Sequence, residues 1–125
     1  MTNVMSLPIF EPVRFDKRRI ADIVRKLGEP AARNTIRLAL GEVEATLFQA
    51  RQAMDCRDDT DALVHAESLA RLAWQLGLPT LATVAQNLRD CIQQRNHIAV
   101  AAIGARLQRV GNHSLATIRR DTGLS

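Results

Sequence analysis

Ile36, Leu40, Val43, Leu47, Ala50 and Met54 follow one another in alternating steps of four and three residues. That spacing is the apolar seam of a long bundle helix. Leu, Ala, Arg and Gln, all helix formers, dominate the chain, and aromatic residues make up only 3% with no Tyr. An all-β fold is excluded by this composition and by the scarcity of β-branched runs. Apolar residues make up 46% of the 125 positions, which excludes disorder. One domain follows from the length, and a chain of this size buries about two-thirds of its unfolded surface.

The punctuation divides the rest of the chain into helices. Residues 1–15 carry Pro8 and Pro12 and read as an extended lead-in. Asp16 to Leu27 reads as a short helix with Ile20, Ile23, Val24 and Leu27 on one face. Gly28 ends it, and Pro30 opens the long helix at a first-turn position. That helix stops in the polar turn Asp55-Cys-Arg-Asp-Asp-Thr-Asp61, where Asp59 or Thr60 is expected to cap the next one. A third helix is expected from Asp61 to Leu76, ending at Gly77. Pro79 opens a fourth, with Leu81, Val84, Ala85, Leu88 and Ile92 in register. Asn96 is the expected cap of the last helix, whose seam is Ile103, Leu107 and Val110. Gly111 reads as a soft spot in it, and Leu115 and Ile118 lead to a frayed end at 121–125. Short connections make sequential helices antiparallel neighbours. The expectation is an all-α, antiparallel up-down four-helix bundle over residues 16–120, with a short extra N-terminal helix.

Several function classes have no support in the residues. His65, His97 and His113 are dispersed, and no carboxylate pairs with them at metal-ligand spacing, so no metal is expected. His97 and His113 read as ordinary exposed positions. There is no Gly-rich phosphate loop and no Gly-x-Ser-x-Gly, so no cofactor is expected, and a catalyst is less expected than a binding module. The net charge of +4 comes from 17 basic and 13 acidic residues that are scattered, with no basic stripe and few aromatics, so nucleic acid is not an expected partner. No segment has the apolar length of a membrane span, and the N-terminus has neither the basic nor the apolar region of a signal peptide. Cys56 and Cys91 form no CxxC, read as small hydrophobes, and fit a reducing cytoplasm.

The third and fourth helices carry a further signal. Residues 66–88 read Ala-Glu-Ser-Leu-Ala-Arg-Leu-Ala-Trp-Gln-Leu-Gly-Leu-Pro-Thr-Leu-Ala-Thr-Val-Ala-Gln-Asn-Leu. This resembles the signature region of histidine-containing phosphotransfer (HPt) domains of bacterial phosphorelays. The family pattern is His-x-Leu-Lys-Gly, several small residues, Leu-Gly, then a helix of Leu-x-x-x-Ala-x-x-Leu type. Leu69, Ala73, Leu76, Gly77, Leu81, Ala85 and Leu88 fall in place without a gap, and the layout of helices extends the resemblance over roughly residues 12–118.

The resemblance implies a signalling module, yet every chemical position departs from the pattern. Glu67 stands where the family carries its phosphate-accepting His, Ala70 where it has Lys, and Arg71 where it has Gly. Arg89 occupies the position on the facing helix whose polar residue often bonds the imidazole. Glu67 has no nitrogen with which to form a phosphoramidate. Glu67 and Arg71 are i and i+4 on one helix face, and Arg89 is expected to reach the same carboxylate, so a salt-bridged cluster is expected in place of an active site. Trp74, one turn beyond Arg71, is expected on the same arc as a docking anchor, with Val64, Leu63 and Gln75 beside it.

Three functions follow from this reading. The first is a module that docks receiver domains of response regulators or a sensor histidine kinase through Val64, Glu67, Arg71, Trp74 and Gln75, without carrying phosphate. The second is a working phosphotransfer protein that uses His65, a residue expected at the core edge because it points about 160° away from Glu67. The third is a generic bundle that oligomerises or binds an unrelated partner, marked by an apolar patch away from the third helix. The sequence assigns no oligomeric state.

Overall fold

The computed structural model describes residues 11–124. It is helical throughout, with α1 at Lys17–Leu27, α2 at Glu29–Asp55, α3 at Asp59–Gln75, α4 at Pro79–Gln93 and α5 at His97–Thr122. No strand occurs among the described residues. Residues 1–10 of the expected lead-in lie outside the described residues, and 11–15 are non-helical as expected.

Local chemistry sets the boundaries. The Asp16 carboxylate accepts from the Arg18 backbone N–H and caps α1, and Asn96 caps α5 by accepting from Ala99 N–H at 3.2 Å. Pro30 and Pro79 occupy the first turns of α2 and α4. The helices α2, α3 and α4 all end in the same motif. The N–H of Asp58 reaches the Ala53 carbonyl, that of Leu78 reaches Ala73, and that of Asn96 reaches Cys91, at 2.8, 2.9 and 3.1 Å. Each motif turns on one left-handed residue, Arg57 (φ 57°), Gly77 (φ 78°) and Arg95 (φ 57°). The polar residue directly after Arg57 or Arg95 is already extended and caps the next helix. The cap of α3 is therefore Asp58, not the expected Asp59 or Thr60, and α3 begins two residues early.

Around α2, the neighbours are α1, α3 and α5; α4 packs between α3 and α5, so the contacts close a ring α2–α3–α4–α5. The core inside it is aliphatic, with Leu40, Val43, Leu69, Leu81, Leu88, Leu107, Val110 and Ile118 all buried. On α3 the inward residues are small except one: Ala62, Ala66, Leu69 and Ala73. Small side chains let α3 lie close against both α2 and α4. On α1 no residue is buried; Ile20, Ile23 and Val24 are half-buried and Leu27 is exposed.

Two glycines of α5 are packing notches. A Cβ on Gly104 would stand 2.7 Å from the Met54 sulfur, and one on Gly111 would stand 2.6 Å from Leu47 Cδ1. Gly111 is thus a seat for Leu47, not a soft spot. Moving seven residues forward on α2 moves seven residues back on α5, so the two helices run antiparallel at this contact. The C-terminus also differs from the expected frayed end at 121–125. The helix α5 continues to Thr122, Gly123 turns left-handed, and Leu124 is buried.

The described part of the lead-in, residues 11–15, makes polar contacts with the helices. The Arg14 N–H donates to Thr80 Oγ1 at 2.9 Å, and Arg106 Nε donates to Glu11 Oε2 at 2.7 Å. The Arg106 hydrogen bond, aided by the charges of Arg106 and Arg109, holds the Glu11 carboxyl below its usual range against the opposing effect of desolvation. His113 is not an ordinary exposed residue: it is half-buried, with Nδ1 3.1 Å from the Glu11 carbonyl oxygen.

One core group is out of place. Ser114 is fully buried and its hydroxyl has no partner among the described residues. Burying a hydroxyl unpaired costs free energy that a methyl group does not. Ser114→Ala is expected to raise stability by about 1 kcal/mol, read from the midpoint of urea unfolding. An unchanged or lowered midpoint would mean that the hydroxyl is satisfied.

Candidate functional site

The helical period that turns Ala62, Ala66, Leu69 and Ala73 inward leaves Val64, Glu67, Arg71 and Trp74 on the opposite stripe of α3. All four are exposed, as is Gln75 beside them. Val64 is 51% and Trp74 55% accessible, which is high for large apolar side chains. At 1.5 Å per residue the stripe is about 15 Å long. Leu63 is half-buried and packs against the core at its edge.

Helix α1 completes this face. The N–H of Asp16 donates to the Gly77 carbonyl at 2.7 Å, which docks the start of α1 on the turn between α3 and α4. That contact brings the Arg19 guanidinium to 5.9 Å from the centre of the Trp74 ring. A cation over an exposed ring contributes about 0.5–1 kcal/mol and holds the indole in place while leaving it open to solvent.

The expected salt-bridged cluster does not form. Among the described residues Glu67 and Arg71 have no ion-pair or hydrogen-bond partner, and Arg89 gives its guanidinium to Asp90 at 3.1 Å. An exposed i, i+4 pair gains little in water, and the adjacent Asp90 holds Arg89. Ala70 is half-buried against the core and offers no charge. Among the described residues the stripe therefore presents an unpaired carboxylate, an unpaired guanidinium and two apolar side chains.

His65 lies on the flank, not on the stripe. Its side chain is 19% accessible and its Nε2 stands 3.4 Å from Asp61 Oδ2. Among the described residues no three His, Cys, Asp or Glu side chains are grouped to hold a metal ion. The basic residues around α1 are partly neutralised, because Lys17 pairs with Asp121 at 3.1 Å, Arg18 with Asp16 at 3.0 Å and Arg25 with Asp22 at 2.7 Å. No helix among the described residues is long and apolar enough to cross a membrane. Neither cysteine is in a disulfide; Cys91 is half-buried and Cys56 is exposed.

A second feature was not read from the sequence. Between the C-terminal end of α2 and the first half of α5 lies an open cleft of about 940 Å³, lined by Arg51, Met54, Asp55, Ala101, Ala105 and Arg109 among others. The signal available for it was the unbroken apolar run from Ile98 to Ala105.

No protein-family model, curated protein or solved structure matches this chain.

Proposed function

We propose that this chain is a signalling interaction module of HPt-like design: α2–α5 form an antiparallel up-down four-helix bundle, and α1 is the extra helix. In this reading the outer face of α3 docks the receiver domain of a response regulator, or a sensor histidine kinase, in the cytoplasm of a bacterium. It carries no phosphate, because Glu67 stands at the phosphate-accepting position. The observation that supports it best is the exposure of Trp74 on the same stripe as Glu67 and Arg71, steadied by Arg19. A large exposed aromatic ring suits a binding anchor, because covering it removes much apolar surface from water. Glu67 and Arg71, both free, add a carboxylate and a guanidinium that select a partner of matching charge.

Phosphotransfer through His65 is the weaker reading. The Asp61 carboxylate beside Nε2 repels an incoming phosphoryl group, and the side chain is four-fifths covered.

The test is a binding panel of receiver domains and kinases, followed by isothermal titration calorimetry. Trp74→Ala is expected to weaken the productive pair by about thirtyfold and Arg71→Glu by about tenfold. Unchanged affinity in both variants would remove this face from the function. In parallel, acid-labile phosphate on the protein is followed after mixing with phosphorylated partners. Label that disappears in His65→Gln would establish a phosphocarrier instead.

A further inference from the structure

We infer that the α2–α5 cleft, together with the outer face of the first turns of α5, is the contact surface of a symmetric dimer of this chain. The inference is independent of the α3 face.

The first observation is a second apolar stripe. Ile98 to Ala105 are eight consecutive apolar residues on one helix. The bundle uses only part of them: Gly104 is buried, and Val100 and Ile103 are half-buried against the core. Ile98, Ala101, Ala102 and Ala105 are left exposed at i, i+3, i+4 and i+7, the spacing of a helix face that meets another helix. At 87%, Ile98 is the most accessible of the exposed large hydrophobic residues. On α2, Phe48 is 60% accessible and lies one turn before Arg51. An apolar surface of this kind, rimmed by charge, marks a protein contact.

The second observation is the distribution of that charge. The packing of Met54 on Gly104 and Leu47 on Gly111 sets the register, so Arg51 and Arg109 stand toward the Gly111 end of the cleft. Asp55 and Asp59 stand toward the turn between α2 and α3, with Arg57 and His97 near them. None of Arg51, Asp55, Arg57, Asp59 or Arg109 forms an ion pair with another described residue. One end of the cleft thus carries two guanidiniums, with the Glu11 carboxylate, itself paired with Arg106, near enough for Arg109 to act on its charge. The other end carries two carboxylates against one guanidinium.

A cleft with opposite charges at its two ends is complementary to itself. A twofold axis through its middle, near Gly104, exchanges the ends and sets Arg51 and Arg109 of one copy against Asp55 and Asp59 of the other. Ala101 and Ala105, both exposed near the centre, have only a methyl group each to hold the two α5 helices apart. Phe48 and Ile98 then flank the contact on both sides.

The test is sedimentation equilibrium of the full chain up to about 0.5 mM, at low and high salt. A dimer is expected that weakens as salt is raised. The double variants Arg51→Glu/Arg109→Glu and Asp55→Arg/Asp59→Arg are each expected to weaken self-association at least about tenfold, with helix content unchanged by circular dichroism. Mixed one to one, the two variants are expected to associate with each other, because the reversed ends match. A wild-type monomer across the range overturns the inference. So does a dimer that both variants retain, or a pair of monomeric variants that fails to associate on mixing. Trp74→Ala is expected to leave the dimer intact, and the charge variants are expected to leave binding through the α3 face intact. Failure of one reading is therefore distinguishable from failure of the other.

Discussion

Leu69→Ala is expected to destabilise the chain by about 3–5 kcal/mol, among the largest costs available to a single side chain here. Leu69 is fully buried, and it is the one large side chain among the four buried residues of α3. Its neighbours on that face, Ala62, Ala66 and Ala73, have no flexible atoms with which to fill the space left behind. The cavity would persist between α2, α3 and α4, and the loss would fall at the upper end of the range for leucine truncation. Urea unfolding by circular dichroism measures it. A change below about 1.5 kcal/mol would mean that α3 does not pack inward through this face. Trp74→Ala, five residues on, serves as the contrast: the ring is mostly in water, and its removal is expected to cost about 1 kcal/mol or less.

Gly77→Ala is expected to cost about 3 kcal/mol and to loosen α1 from the body of the protein. Two effects add. The residue is left-handed at φ 78°, a conformation that strains any side chain with a Cβ. The new Cβ would also stand 2.5 Å from the Asp16 carbonyl oxygen, a backbone atom that moves only if α1 moves. The Asp16 N–H bond to the Gly77 carbonyl and the Arg19–Trp74 contact depend on the same fit. The expected result is a melting temperature lower by about 10 °C together with a changed emission of Trp74, the only indole in the chain. Loss of stability with an unaltered indole signal would separate Gly77 from the α1 contact. Arg57 and Arg95 make the comparison instructive, since they hold the same left-handed place in the other two turns with a full side chain. The motif itself accepts a Cβ; what Gly77 alone requires is the close approach of α1.

These residues also mark where sequence reading worked and where it stopped. The stripes of α2 and α4 were legible because three- and four-residue spacing is a local property, decided within one helix. Of the three similar turns, only the one at Gly77 was marked by a glycine. At Arg57 and Arg95 the left-handed residue is masked by a side chain, and the cap of α3 was misplaced by one or two positions as a result. Gly111 shows the same limit in the core: a missing side chain reads as weakness until the residue that fills its place, Leu47, is known.

The sequence by itself determined that the chain is helical, where its helices start and stop to within a few residues, and which stripe of each is apolar. Glu67, Arg71 and Trp74 were placed on one outward arc by the same periodicity. The tertiary structure decided what lies against each arc. It brought Arg19 to Trp74 from a helix more than fifty residues away and left Ile98 uncovered. The physical reason is range. Helix periodicity and capping act over three or four residues, whereas the seating of a cation over a distant ring and the covering of an apolar face depend on contacts between helices that only the folded chain brings together.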